Sequence, residues 1–229
     1  MVKVIAHRGS GIGPHENTLT GFLKSISWGV DCIECDLRSS RDGAIILLHD
    51  FSLERLAHRS ELVAEKTLSE LKALEIGDGE KIPTLTEFLE LVAPYKEFQI
   101  NLDVKVIGIE AQILGRIEDA ELLDRTMISS FIQPVLTKVR KLNDEIPTAL
   151  LYEYDLQDPV NLAKTLGCTA INPQLHFIDE QLISTCHREG LEINPWLINE
   201  REDMERFISY GVDGIITDYP PRLLRILNR

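Results

Sequence analysis

Residues 31–50 read DCIECDLRSSRDGAIILLHD, and the parsing of this stretch decides the fold. It holds two runs with strand character, Asp31–Leu37 and Ala44–His49, separated by a turn-forming Asp42-Gly43. Residues two apart on a strand share a face, so Glu34 and Asp36 project together from the first run. No helix fits between the runs, whereas parallel neighbours need a crossover of about a dozen residues. Either the second run makes an extended return beside the first, or Asp42-Gly43 turns a hairpin. The return is favoured here because it keeps His49 at the same end as the other polar strand ends.

Outward from this stretch, short β-branched runs alternate with longer amphipathic segments, the pattern of repeated βα units and a parallel sheet. The remaining strand candidates are Val2–His7, Phe98–Val104, Thr126–Phe131, Thr148–Tyr152, Thr169–Asn172, Leu191–Leu197 and Gly214–Thr217. Helical patterns fill most of the gaps, from Thr18–Trp28 and Leu68–Leu74 to Glu200–Tyr210 and Pro221–Leu227, and Asp179 and Asn199 read as capping residues. Nine strands then compete for the eight staves of a TIM (β/α)8 barrel, so one is an extra. An open doubly wound sheet is the competing fold, but it usually carries a Gly-rich nucleotide loop, and none is present. At 229 residues and 44% apolar content, without linker, repeat or low-complexity run, residues 1–229 suit a single barrel domain.

A formal charge of −13 disfavours nucleic acid or an anionic membrane surface as partner. A small anionic substrate needs only a local positive pocket or a bound cation. No apolar run is long enough to span a bilayer, and the start, MVKVIAHRGS, lacks a signal peptide's apolar region, so a cytoplasmic location without stable membrane association is expected. Cys32 and Cys35 have redox-motif spacing but sit in a strand rather than capping a helix, and are expected to be reduced packing residues, as are Cys168 and Cys186.

In α/β barrels functional groups collect at the C-terminal ends of strands. There the sequence offers His7-Arg8-Gly9, Glu34-Cys35-Asp36, His49-Asp50, Asp103-Val104-Lys105, Trp196 followed by Asn199, and Asp218. Two adjacent carboxylates repel unless a cation or proton lies between them. A third acid, Asp103, completes an oxygen-rich set of the kind Mg²⁺ or Ca²⁺ prefers. A salt-bridged plug with Arg8 and Lys105 is the bland alternative. His7 and His49 suit proton transfer near neutrality, Arg8 offers a planar fork for phosphate, and Lys105 a point charge. Asn17, after Glu16, is a candidate to close the mouth. His15, His58, His176 and His187 read as solvated or packing residues.

The ordered set of motifs resembles the glycerophosphodiester phosphodiesterase family. The matching stretches are His7-Arg8-Gly9, Glu16-Asn17-Thr18, Glu34-Cys35-Asp36 with Asp42-Gly43, His49-Asp50 with Leu53 and Arg55, Thr67 to Leu71, Ile82 to Leu85, Ser129-Ser130-Phe131, and Gly211 to Pro220. The resemblance implies a barrel enzyme that uses a divalent cation to hydrolyse glycerophosphodiesters to glycerol 3-phosphate and an alcohol. It implies His7 and His49 as the acid–base pair and Glu34, Asp36 and Asp103 as metal ligands. Arg8 and Lys105 would then contact phosphate, and Trp196 would line the glycerol side. Asp103 stands where the family usually has glutamate, as in sphingomyelinase D-like relatives, and His15 stands where it usually has proline. A lipid phosphodiesterase of the same fold and a silent phosphodiester-binding barrel are the alternatives. The charge-rich segment Phe51–Glu65 favours a water-soluble substrate.

Overall fold

The β-branched runs become nine strands of one sheet: β1 (Lys3–Ala6), β2 (Cys32–Ser39), β3 (Ile45–Leu47), β4 (Gln99–Val104), β5 (Thr126–Ser130), β6 (Thr148–Tyr152), β7 (Ala170–Pro173), β8 (Glu192–Ile193) and β9 (Gly214–Thr217). The structure, a computed structural model, describes residues 1–229. Eight strands are parallel neighbours in the order β8-β7-β6-β5-β4-β2-β1-β9. Backbone bonds from Asp213 N to Ile193 O and from Ile216 N to Pro195 O join β9 to β8 and complete the ring. The register of β2 on β4 sets Glu34 beside Asn101 and Asp36 beside Asp103.

The extra strand is β3, and here the structure corrects the favoured parse. β3 pairs antiparallel with β2, Leu37 opposite Leu47, through a turn in which Gly43 adopts φ +82°. The hairpin, not the parallel return, is formed. A turn this short cannot carry a crossover, and Asp42 stabilises it by accepting from Ser40 Oγ and Leu68 N. His49 still reaches the rim because β2 overshoots it. Its last residues, Arg38 and Ser39, pair with the descending β3, which returns the chain to the level where Leu48 N donates to Asp36 O.

Alternation along the staves builds two different interiors. Outward-facing Val4, Ile33, Cys35, Leu37, Ile100, Leu102 and Val104 are buried beneath the helices, where Phe22 and Phe88 meet with ring centroids 4.6 Å apart. Truncating either ring to alanine would cost about 3–5 kcal/mol. Within the ring many inward positions are small or polar, Asn101, Ser129, Ala149, Asn172, Asn194 and Gly214, beside an apolar patch of Ile5, Cys32 and Ile216. A Cβ on Gly214 would lie 2.5 Å from Asn194 Oδ1 and 2.8 Å from Ile5 Cδ1, so a larger residue there would force those side chains to shift. A second apolar cluster, with Ile46, Leu48, Leu53, Val63, Leu71, Ile76 and Ile82, supports the segment that follows the hairpin.

Of the two caps expected, that of Asp179 forms and that of Asn199 does not, while threonines cap further helices. Thr67 and Thr84 form capping boxes with Glu70 and Glu87, and Asp179 accepts from Leu182 N. Asn199 does not cap. The helix after it begins at Arg201 with Glu200 as its cap residue, and the Asn199 side chain turns instead to Asp218 and Thr217. β8 is two residues long rather than the expected seven, because Pro173 and Pro195 lack the N–H groups that would continue its pairing with β7 and with β9. The four cysteines are free and buried, Cys32 against Ile5 and Ile216 inside the ring and Cys35 in the outer core. Burial holds the Cys32 and Cys35 thiols well above their ordinary range. No helix is long and apolar enough to cross a membrane.

Candidate active site

At the C-terminal mouth of the ring lies a cavity of about 430 Å³. His7, Arg8, Glu34, Asp36, His49, Asp103, Lys105 and Trp196 all line it, so these eight residues converge on one space, whereas Asn17, Asp50, Asn199 and Asp218 lie behind its walls. His15, His58, His176 and His187 do not. His15 pairs with Glu80 at 3.3 Å and His187 with Asp213 at 3.0 Å.

The carboxylates come from two adjacent staves. One oxygen from each of Glu34, Asp36 and Asp103 lies within 4.8 Å of the others, and all three side chains are buried. Lys105 Nζ is 3.0 Å from Asp36 Oδ1 and bonds Asp103 Oδ2, while Arg8 Nε lies 3.4 Å from Asp36 Oδ2. Three acids against two bases leave the cluster one positive charge short in a site where burial weakens solvent screening. The titrations divide accordingly. Burial, together with Asp36 and Asp103, pushes the Glu34 carboxyl well above its ordinary range. Burial also raises Asp103, to about 6, against the pull of Lys105. Asp36 is buried too, but Lys105 and Arg8 hold it far below the usual carboxylate range.

This donor set fits a hard divalent cation. All the ligand atoms are oxygens, Asp103 Oδ1 is buried without a hydrogen-bond partner, and a cation would supply the charge the cluster lacks. Asn17 does not close the mouth. It is wholly buried with φ +52° and clamps Asp36, its Nδ2 donating to Asp36 Oδ2 at 2.7 Å and its Oδ1 accepting from Asp36 N at 3.0 Å.

The two histidines of the cavity are each paired with a carboxylate. His7 Nδ1 lies 2.7 Å from Asp218 Oδ1, and Arg8 Nε donates to His7 Nε2 at 3.2 Å. Because arginine only donates, this pattern assigns the His7 proton to Nδ1 and leaves Nε2 as an acceptor. His49 Nδ1 lies 2.8 Å from Asp50 Oδ1. Burial, opposed by Asp36 and aided by Arg8 and Lys105, lowers the His49 pKa from its ordinary value, favouring the neutral ring.

Motif order alone did not reveal the chain of charges joining these pairs. Arg55 forks onto Glu16 at 2.6 and 2.7 Å and donates to Asp50 at 2.6 Å, while Glu16 also accepts from Arg8 at 2.9 Å. Arg8, Glu16, Arg55, Asp50 and His49 thus form one linked series. The clue available was that Glu16 and Arg55 travel with the histidine motifs. The opposite wall is apolar: Phe131, Leu151, Trp196, Leu197 and Ile216. Trp196 is anchored by Nε1 donating to Asn172 O and stands edge-on to Phe131 at 5.5 Å.

The chain has counterparts among known proteins. The model of the Glycerophosphoryl diester phosphodiesterase family matches residues 7–222. The chain is 34% identical over 238 residues to a glycerophosphodiester phosphodiesterase of Caldanaerobacter subterraneus subsp. tengcongensis, spanning 99% of this chain and 98% of the relative. It is 31% identical to a glycerophosphodiester phosphodiesterase of Bacillus altitudinis, with 99% and 98% covered. Among solved structures, a phosphodiesterase of Oleispira antarctica in complex with the product sn-glycerol-3-phosphate superimposes with a TM-score of 0.89 at 26% identity. It covers 99% of this chain and 97% of its own.

Proposed function

The chain belongs to the glycerophosphoryl diester phosphodiesterase family, and from that membership we propose that it hydrolyses glycerophosphodiesters to glycerol 3-phosphate and an alcohol by two-histidine acid–base catalysis at a divalent metal site. The observation that carries this reading is the meeting of three buried carboxylates and two carboxylate-paired histidines in one cavity. The product named for the Oleispira antarctica structure supports the same substrate class.

Glu34, Asp36 and Asp103 would hold Mg²⁺ or Ca²⁺, which when bound supplies charge neutralisation for the phosphate oxygens. Arg8 and Lys105 bind the phosphate from the same side of the cavity and favour the charge that builds on it. His49, neutral and held at Nδ1 by Asp50, takes the proton of the attacking hydroxyl. That hydroxyl belongs either to the substrate's own glycerol, giving a cyclic phosphate that water then opens, or to water itself. His7 delivers a proton to the leaving alkoxide. Its Nε2 accepts from Arg8 Nε, so a guanidinium drawn onto phosphate frees this nitrogen to carry the proton. Asp218 accepts at Nδ1 and supports the charged ring. Trp196 packs against the glycerol.

Release of glycerol 3-phosphate from glycerophosphocholine, with Mg²⁺ or Ca²⁺ added, tests the proposal. No turnover under these conditions would defeat it. Exposed Ile12, Phe51, Ile107, Tyr154 and Tyr219, all on loops leaving strands at the mouth, favour a second reading in which the diester carries an acyl chain. A higher kcat/KM for lysophosphatidylcholine than for glycerophosphocholine would select it.

A further inference from the structure

The ring of His49 is held at a single point. Its backbone is fixed, since Leu48 N donates to Asp36 O and Arg38 Nε donates to His49 O at 2.7 Å. Those bonds leave the side-chain torsions free, and the ring's one hydrogen bond joins Nδ1 to Asp50 Oδ1 at 2.8 Å. Asp50 is itself partly exposed, and two side chains hold its carboxylate: His49 on one oxygen, and Arg55 Nε on the other at 2.6 Å.

Arg55 stands on the one-turn helix Glu54–Ala57, which rests on the second apolar cluster through Leu56 and Ala57. Its two terminal nitrogens fork onto Glu16 at 2.6 and 2.7 Å and leave Nε for Asp50. Glu16 is a fixed point. Its side chain is 1% exposed, and it also accepts from Arg8 at 2.9 Å and from Gly13 N at 3.3 Å. Arg55 is 42% exposed, so what it contributes is direction rather than packing. One planar guanidinium spans both carboxylates, which the single nitrogen of a lysine cannot do.

We propose that Arg55 is a positioning residue for the general base: it carries the fixed position of Glu16 across to Asp50 and so aims the free Nε2 of His49 into the cavity. This rests on the phosphodiesterase reading and adds to it the group that aligns its base. Arg55 does not line the cavity, and its ion pairs are with Glu16 and Asp50, so its effect on turnover passes through them.

The test is turnover of glycerophosphocholine, with Mg²⁺ or Ca²⁺ present, by the wild type, Arg55→Met, Arg55→Lys, His49→Ala and the double variant Arg55→Met with His49→Ala. Both single Arg55 variants should lose roughly 10- to 10²-fold in kcat, as expected for a misaimed base. KM should stay within about 2-fold, because Glu16 keeps its bonds from Arg8 and Gly13 and the phosphate contacts remain. The double variant should turn over no more slowly than His49→Ala alone, since both changes act through one imidazole. If Arg55→Met does not fold, Arg55→Lys, which keeps a charge for Glu16, decides the matter. An unchanged kcat in the folded variants overturns the assignment. A raised KM with kcat intact does the same, because Arg55 would then act on phosphate through Glu16 and Arg8. So do losses that multiply in the double variant. In each of these cases the phosphodiesterase stands, whereas an inactive wild type removes the activity and the assignment together.

Discussion

His7 Nδ1 and Asp218 Oδ1 lie 2.7 Å apart although 211 positions separate them, so the first and last staves of the ring share one hydrogen bond at its mouth. Asp218 is fixed from three further directions: Asn199 Nδ2 donates to its Oδ2 at 2.8 Å, Ile12 N to its Oδ1 at 3.0 Å, and its own N donates to Asn199 Oδ1. Burial alone would raise this carboxyl, but the bond to His7 and the contacts from Asn199 and Ile12 hold it below the ordinary range.

Asp218 is a positioning residue in this arrangement. Asp218→Asn should lower kcat about 10- to 10²-fold, less than the roughly 10²–10⁴-fold loss expected for His7→Ala. The double variant should lose no more than His7→Ala alone, because both changes act through one imidazole. Additive losses in steady-state kinetics would show that Asp218 acts elsewhere.

His49→Ala should likewise lose about 10²–10⁴-fold in kcat while keeping its thermal midpoint within a few degrees, since the ring is half-exposed and lies outside the main core. Asp50→Asn should lose less, as it leaves the ring in place and removes its anchor at Nδ1. Near-wild-type turnover in His49→Ala would remove the base from the mechanism.

Chelation should abolish turnover, and Mg²⁺ or Ca²⁺ should restore it. Binding independent of activity is visible in thermal unfolding. A cation at 100 times its Kd stabilises the fold by about 2.7 kcal/mol, a rise of roughly 5–10 °C for a chain of this length. Asp103→Asn removes a ligand charge and should shrink that rise. A thermal midpoint unmoved by either ion would count against the carboxylate site.

Gly11 tests the link between backbone and site. Its φ is +86°, and a Cβ there would lie 2.4 Å from Asp218 O, while its N–H donates to His7 O. Gly11→Ala should destabilise the protein by about 1–3 kcal/mol and reduce kcat by displacing the His7–Asp218 pair. Denaturant melts and kinetics on the same sample check both effects.

Asp31 accepts from Val4 N at 2.8 Å and from Arg229 at 2.6 and 2.8 Å, latching the chain's last residue beneath the ring. Although burial raises it, the bonds from Arg229 and Val4 bring its pKa below the ordinary value. A carboxyl depressed by folding stabilises the native state above its unfolded value of about 3.9, and that contribution is lost as pH falls through the lower folded value. Asp31→Asn should therefore melt earlier than the wild type at pH 7, and the gap should close as pH falls through the depressed folded value. A gap that persists there would assign the effect to packing.

The sequence by itself determined the staves, their inward faces and the residue types at the mouth. Alternation is local, so Glu34 with Asp36, and Asp103 with Lys105, had to share faces once their strands were recognised. The run of polar residues at successive strand ends sufficed to gather all eight candidates in one cavity. Tertiary structure alone decided the pairings between distant segments. It turned Asp42-Gly43 into a hairpin on an overshooting β2, drew Asn199 from its helix to Asp218, and set Asn17 beneath Asp36 rather than over the mouth. It also forked Arg55 onto Glu16. Such contacts depend on register and ring closure. These fix which strand ends stand opposite each other, and they leave no periodic mark along the chain.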